Sequence, residues 1–205
     1  MQTHSTGTIY IVDDDDDFRD SMQWLLESAS HQVITFSSAQ AFLDDFEGEI
    51  GCMLLDIRMP EINGLALQQI MLDRGIQMPI IVISGHGDIP MAVSAMKHGA
   101  LDFIEKPFDD EVLLRLVDKA LARVTTMRKE QKELNTLLSH YETLSRREKE
   151  VMSLVVMGKA NREIAEELGI SPKTVEVHRA RVMGKMQAGS LPVLVQQATR
   201  LKDTT

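Results

Sequence analysis

The chain has 205 residues and a net charge of −9, enough for one large domain or two small ones. No apolar run approaches the ~20 residues of a membrane span, and the opening MQTHSTG has neither the basic start nor the apolar core of a signal peptide. Cys52 is the only cysteine; a disulfide within the chain is excluded, and a cytoplasmic location is expected.

The charge is unevenly distributed. Residues 1–124 carry 8 Lys and Arg against 21 Asp and Glu, a net −13, and residues 125–205 carry 14 against 10, a net +4. Such a split predicts two domains with different partners, the basic one facing nucleic acid.

In chain order, TIYIV (8–12) is a β-rich apolar run that meets Asp13 to Asp17 at once. Phe18, Met22, Leu25 and Leu26 then recur at helical spacing. Gln32–Phe36 is a second strand, and Ser37-Ser38 caps a helix carrying Ala41, Phe42, Leu43 and Phe46. The third strand starts at Cys52. Its unbroken apolar run implies burial on both faces, as in a parallel sheet. It ends on one carboxylate, Asp56, before Pro60 and Asn63-Gly64 turn the chain. A lone Asp there is either a cap or a functional carboxylate; its partners decide. A helix follows over 65–72, then a buried strand, PIIVIS (79–84). The next helix starts near Asp88, with Pro90 in its first turn, and stops at Gly99. Residues 101–105 are a short fifth strand, and Asp109 opens a helix.

Five strands alternating with five helices predict an α/β domain with a parallel, doubly wound sheet. Among such sheets we expect the flavodoxin-like order 2-1-3-4-5. No Pro or Gly occurs between residues 108 and 157. Leu113, Val117, Ala120, Val124, Met127, Gln131, Leu134, Leu138 and Tyr141 form a heptad seam with one polar member. The first part of this helix folds onto its own domain. Past Arg123 the narrow seam and charged flanks predict a protruding linker helix that pairs across two chains. The resulting domains are 7–122, a helical linker 123–141, and an all-α domain 142–205.

In that last domain Ser145 and Glu148 form a capping box, and Gly158 ends the helix. NREIAEEL (161–168) is a short helix broken by Gly169. Ser171-Pro172 opens the next, which runs to about Met186, and residues 190–200 make a fourth. Two short helices across a Gly turn, the second basic, match a helix-turn-helix.

Parallel strands deliver their carboxyl ends to one sheet edge. Asp13, Asp14, Asp56, Ser84 and Lys106 therefore converge there. Carboxylates that can hold Mg²⁺, a carboxylate that can accept a phosphoryl group, and a hydroxyl and an ammonium for its oxygens suit phosphoryl transfer. Asp15, Asp16 and Asp17 read as a solvated run capping the helix.

IVDDD, LLDIRMP, ISGHGD and EKPF, in this register, closely resemble the receiver domain of two-component response regulators over about residues 7–122. The resemblance implies that Asp56 is the phospho-acceptor. It implies a Mg²⁺ pocket of Asp13, Asp14, Asp56 and the Arg58 backbone carbonyl, with Ser84 and Phe103 as switch residues and Lys106 as the family lysine. Phe103 has no hydroxyl, so its switch is one of packing. The stretch from LSRREKEV to RVMGKM resembles the LuxR/NarL helix-turn-helix, and the whole chain resembles the FixJ-like response regulators. Ile164, Leu168, Val175, Val182 and Met186 match that motif's hydrophobic framework. Lys173, Thr174, Glu176, Val177, Arg179, Ala180 and Arg181 are then candidates for DNA. Glu176 and Val177 are available to base edges, Lys173, Thr174 and Arg179 to phosphates.

The implied function is that of a transcriptional response regulator, not an enzyme. Its partners are a sensor histidine kinase, double-stranded promoter DNA, and a second copy when phosphorylated; RNA polymerase would be a further one. The rival is a phosphatase with an aspartyl-phosphate intermediate. Against it, Arg58 stands two residues after Asp56, where a general acid would be required. A pure scaffold would not need Asp13, Asp14, Asp56 and Lys106 together.

Overall fold

The computed structural model describes residues 7–85 and 89–202. Its elements are β1 (Thr8–Val12), α1 (Asp16–Ser28), β2 (Gln32–Phe36), α2 (Ala39–Asp45), β3 (Cys52–Asp56), α3 (Gly64–Asp73), β4 (Ile80–Ser84), α4 (Ile89–Lys97), β5 (Asp102–Glu105) and α5 (Asp110–Glu142), followed by α6 (Arg146–Val156), α7 (Asn161–Leu168), α8 (Pro172–Lys185) and α9 (Leu191–Lys202). His86, Gly87 and Asp88, which belong to the ISGHGD motif and to the expected start of α4, lie outside the described residues, as do residues 203–205.

The sheet order is β2-β1-β3-β4-β5, all neighbours parallel, the flavodoxin-like order expected. The three central strands are buried at every position, which is what their unbroken apolar runs require. Side chains alternate between faces. Tyr10, Val12, Met53, Leu55, Ile80 and Val82 join one apolar cluster with Phe42, Leu67 and Met71 from α2 and α3. Ile9, Ile11, Cys52, Leu54, Ile81 and Ile83 join another with Leu26 of α1 and Leu113, Val117 and Leu121 of α5. Edge strand β2 is only partly buried.

Two compact units divide between Arg128 and Lys129, inside α5. The helix is continuous over 33 residues, as the absence of Pro and Gly predicts. The expected linker stretch, 123–141, lies within α5. Val124 is fully buried in the receiver cluster, while Leu137 is buried, and Leu138 and Tyr141 packed, in the cluster of the second unit. Arg128 Nη2 donates to the Ile50 carbonyl at 2.6 Å. The seam's ends thus belong to the two cores. Only Met127, Gln131 and Leu134 between them keep partial or full exposure.

The second unit packs α6 to α9 around Val151, Ile164, Val175, Val182, Met186 and Leu194. The Ser145–Glu148 capping box is present at α6. Such a cap contributes about 1 kcal/mol. Glu148 is nearly fully buried, and its Oε2 also accepts from Lys185 Nζ at 2.6 Å. Gly169 ends α7 at φ 64°, a left-handed conformation that costs glycine nothing. Ser171 caps α8, with Pro172 at its first position.

Candidate functional site

β1, β3, β4 and β5 release four side chains at their carboxyl ends. Asp13 follows β1, Asp56 and Ser84 are the last residues of β3 and β4, and Lys106 follows β5. Lys106 N–H donates to the Ser84 carbonyl at 2.7 Å, which extends the ladder and turns the lysine inward. Its Nζ donates to Asp13 Oδ2 at 2.8 Å and to Asp56 Oδ1 at 3.4 Å. Asp13, Asp56 and Ser84 are buried, at 2%, 7% and 0% exposure. Asp14 is exposed.

Backbone donors fix both carboxylates. Arg58 N–H donates to Asp56 Oδ2 at 2.6 Å, and Asp15 N–H to Asp13 Oδ1 at 2.9 Å. Burial, and then the Asp13 charge, push the Asp56 carboxyl above the usual carboxylate range; Lys106 and the Arg58 N–H pull the other way. Two buried carboxylates therefore share one ammonium, an arrangement that attracts a further cation. Asp15 Oδ1 accepts from Phe18 N–H at 3.1 Å and caps α1, so the cap reading of that residue holds.

Three further residues support the site. The Lys106 ammonium sits 3.5 Å from the Phe18 ring centroid, a cation–π contact that steers it. Arg19 Nη1 donates to the Asp13 carbonyl at 2.7 Å. At Gly64 a Cβ would stand 2.3 Å from the Asp56 carbonyl oxygen, so only glycine lets α3 start so close to the end of β3. The Asn63-Gly64 turn signal pointed to that position; nothing local pointed to Phe18 or Arg19. Phe103 lies in β5, half-buried against the cluster of α2 and α3.

Among the described residues, no group of three or more His, Cys, Asp or Glu is arranged to hold a metal ion. Mg²⁺ does not need one: one or two carboxylates suffice, with a carbonyl, waters and phosphate oxygens completing the octahedron. Asp13 and Asp56, sharing the Lys106 ammonium, fit that donor set.

In the second unit, α7 and α8 meet across Gly169. Val175 and Val182 of α8 face the core. Lys173, Glu176, Val177, Ala180 and Arg181 are exposed, and Thr174 and Arg179 half-buried. Thr174 Oγ1 lies 2.8 Å from Ser171 Oγ. Arg179 Nη1 donates to Asn161 Oδ1 at 2.8 Å, which ties α8 to the start of α7. Lys173 Nζ donates to Glu176 Oε2 at 2.8 Å, and Glu176 holds the Lys173 ammonium above its usual range. His178 is half-buried, as a framework residue would be. No helix among the described residues is long and apolar enough to cross a membrane.

Comparison with known proteins gives two family matches, the response regulator receiver domain over residues 9–118 and the bacterial regulatory proteins of the luxR family over residues 142–198. The chain is 44% identical over 195 residues to the transcriptional regulatory protein FixJ of Bradyrhizobium diazoefficiens, covering 95% of each. It is 46% identical to the response regulator protein TmoT of Ectopseudomonas mendocina, covering 97% of this chain and 90% of that one. Among solved structures it is similar to the response regulator StyR, with TM-score 0.79, 38% identity and coverage of 94% and 98%. Full-length FixJ from B. japonicum gives TM-score 0.59 at 43% identity, covering 96% and 98%.

Proposed function

We propose, for a chain that belongs to the FixJ-like response regulators with a LuxR-family DNA-binding domain, that Asp56 is its phospho-acceptor and α8 its DNA-reading helix. A phosphate-accepting regulator of transcription has a kinase and DNA as partners. The observation that carries the assignment is the pairing of Asp13 and Asp56 on the Lys106 ammonium.

An Asp56 carboxylate oxygen forms the new P–O bond as the P–N bond of a phosphohistidine on the kinase breaks, and the bonding pair leaves with the imidazole nitrogen. The Lys106 ammonium, already 3.4 Å from Asp56 Oδ1, binds a phosphoryl oxygen of the product. Mg²⁺ supplies charge neutralisation for the transferring group when it is bound. Asp13, Asp14, Asp56 and the Arg58 carbonyl would hold it. Ser84 donates its hydroxyl to the phosphoryl group, and Phe103 turns into the space so vacated. Arg58 gives the chain no general acid for hydrolysis, and we assign it no turnover of an external phosphate pool.

In the second domain, Glu176 and Val177 face base edges in the major groove, while Lys173, Thr174, Arg179 and Arg181 contact the backbone and Ala180 allows close approach. The phosphorylated form is a homodimer on promoter DNA in the cytoplasm, in reach of RNA polymerase. The division of labour is 7–122 for the receiver, 123–141 for the connecting stretch of helix and 142–205 for DNA. Intact-mass measurement with a small-molecule phosphodonor and Mg²⁺ tests the assignment. Wild type gains one phosphoryl group and Asp56→Asn gains none; equal labelling of the variant would overturn it.

A further inference from the structure

The receiver carries a cavity that the phosphoryl chemistry does not use. It is a cleft of about 400 Å³, lined by residues of α3, the α3–β4 loop, the first residue of β4, the α4–β5 turn and α5. That is within the range of small-molecule sites. It lies where β4 begins, at Pro79 and Ile80, whereas Ser84 at the other end of that strand belongs to the phosphoryl site. At ~3.3 Å per residue the two sites are roughly 13 Å apart along the strand, so both can be filled at once.

Three features define what the cleft accepts. Much of its wall is apolar: Met71, Leu72, Ile76, Met78, Leu101 and Met127 line it, with Leu72 left 60% exposed. Its charged lining is one-sided. Arg123 supplies it, and no Asp or Glu is among the lining residues, which also include His98, although residues 1–124 carry a net −13. Arg123 forms no ion pair among the described residues, whereas the acidic groups nearby in sequence are engaged elsewhere: Asp102 with Lys119 at 2.9 Å and Asp73 with Gln69 at 2.8 Å. The His98 Nδ1 is 2.7 Å from the Ser94 carbonyl, leaving Nε2 for another contact. The third feature is Gln68. It is 97% buried, since its exposure is 3%. Its Nε2 donates to the Ala95 carbonyl of α4 at 3.1 Å, and its Oε1 is a buried acceptor with no donor. Such an acceptor costs ~1–3 kcal/mol when left unmade.

We propose that this cleft is a second ligand site on the receiver, for a small organic anion with an apolar body and one hydrogen-bond donor. The carboxylate pairs with Arg123, the body lies among the methionines, and the Gln68 amide, whose Oε1 is buried, turns that oxygen toward the ligand's donor. Because Gln68 also holds α4 through Ala95, an occupant there braces α3 against α4. The site would give the receiver an input separate from its kinase.

The test uses the full chain with ¹³C-methyl methionine and no phosphodonor, so its failure leaves the Asp56 assignment untouched. The probe is 4-hydroxybenzoate. It is compared with 4-methylbenzoate, which lacks the donor, and 4-hydroxybenzyl alcohol, which lacks the charge. Saturable shifts of the Met71, Met78 and Met127 methyls are expected, with Met152 and Met186 of the other domain unmoved. Both comparison probes should bind about tenfold more weakly, as should the probe to the exposed-site variant Arg123→Ala. Gln68→Leu should abolish the preference for the hydroxyl. If the cleft methyls show no saturable shift, or if the three probes and Arg123→Ala all give equal affinity, the proposal is wrong.

Discussion

Lys106 and Asp13, 93 positions apart in the chain, meet with Nζ 2.8 Å from Oδ2. The lysine thereby neutralises part of a pocket in which Asp13 and Asp56 are both buried. Replacing it by methionine keeps the apolar stem but removes the one ammonium that bonds both carboxylates. The Asp56 carboxyl should then move further up, and the phosphoryl oxygens lose a charged donor. We expect Lys106→Met to slow phosphorylation about a hundredfold, in the range for loss of one donor to a developing charge. The initial rate of the mass shift with a small phosphodonor measures this, and a rate within a factor of two of wild type would refute it.

Ser84 is fully buried beside that pocket, while Val93 and Met96 of α4 are exposed at 49% and 45%. If the Ser84 hydroxyl binds the phosphoryl group and Phe103 follows, the change reaches the surface of α4 and β5. Ser84→Ala should be phosphorylated yet dimerise at least about tenfold more weakly. Sedimentation of the phosphorylated protein decides it; an equally tight dimer would disconnect Ser84 from assembly.

Glu148 gives a pH signature in the DNA-binding domain. The Lys185 hydrogen bond, then the Ser145 backbone N–H, hold its carboxyl down at about 2. Its ordinary value is 4.5. A folded-state value below the unfolded one stabilises the fold above the unfolded value, and that stabilisation fades as pH falls from about 4.5 toward about 2. Glu148→Gln should cost on the order of 1 kcal/mol at neutral pH, discounted because Lys185 is partly exposed. Wild type and variant should converge at the acid end. Denaturant unfolding followed through the helical signal of the second domain, at several pH values, tests the convergence.

The Lys173–Glu176 pair on α8, at 2.8 Å, complicates base reading. Glu176→Ala should relax sequence preference at a cost of ~1–3 kcal/mol on the preferred site. Lys173→Ala should weaken binding to every sequence and reduce the salt slope by about one ion. Because the two touch, the double variant should lose less than the sum of the singles. Strict additivity in filter-binding or anisotropy titrations would mean that the pair is already broken on DNA.

The sequence made the central sheet legible because β1, β3 and β4 are unbroken apolar runs that nothing but a doubly covered sheet can bury. Asp13, Asp56, Ser84 and Lys106 were legible for the same reason: parallel strands send their last residues to one edge. The heptad seam was legible as a stripe but not as to what covers it. Periodicity says that Val124 is buried, and the receiver core, not a second chain, does it. Phe18 shows the same limit. Its spacing marks the inner face of α1, but its contact with Lys106 joins positions 88 residues apart. Glu148 was readable as a capping-box member from Ser145 three positions away; Lys185, 37 positions on, was not.

The place where α5 passes from one core to the other can be tested directly. Val124 is fixed in the receiver core and Arg128 is bonded to the Ile50 carbonyl; Leu137 is fixed in the second core. Between them Lys129, Glu130, Gln131, Lys132 and Glu133 are exposed; besides main-chain hydrogen bonds the stretch carries a Gln131 Nε2 bond to Asn135 Oδ1 at 2.9 Å and a Glu133–Arg200 ion pair at 3.5 Å, both at the surface. Two glycines inserted after Lys129 cost the helix ~1 kcal/mol each and leave both cores untouched. Phosphorylation should therefore be unchanged. Binding to a promoter with two half-sites should weaken about tenfold, because a flexible join lowers the effective concentration of the second DNA-binding domain at its half-site. Binding to a single half-site should stay as in wild type, and that arm separates loss of coupling from damage to α8. If the two-half-site promoter is bound as tightly by the insertion variant, the helix transmits nothing between the domains and serves only as a tether.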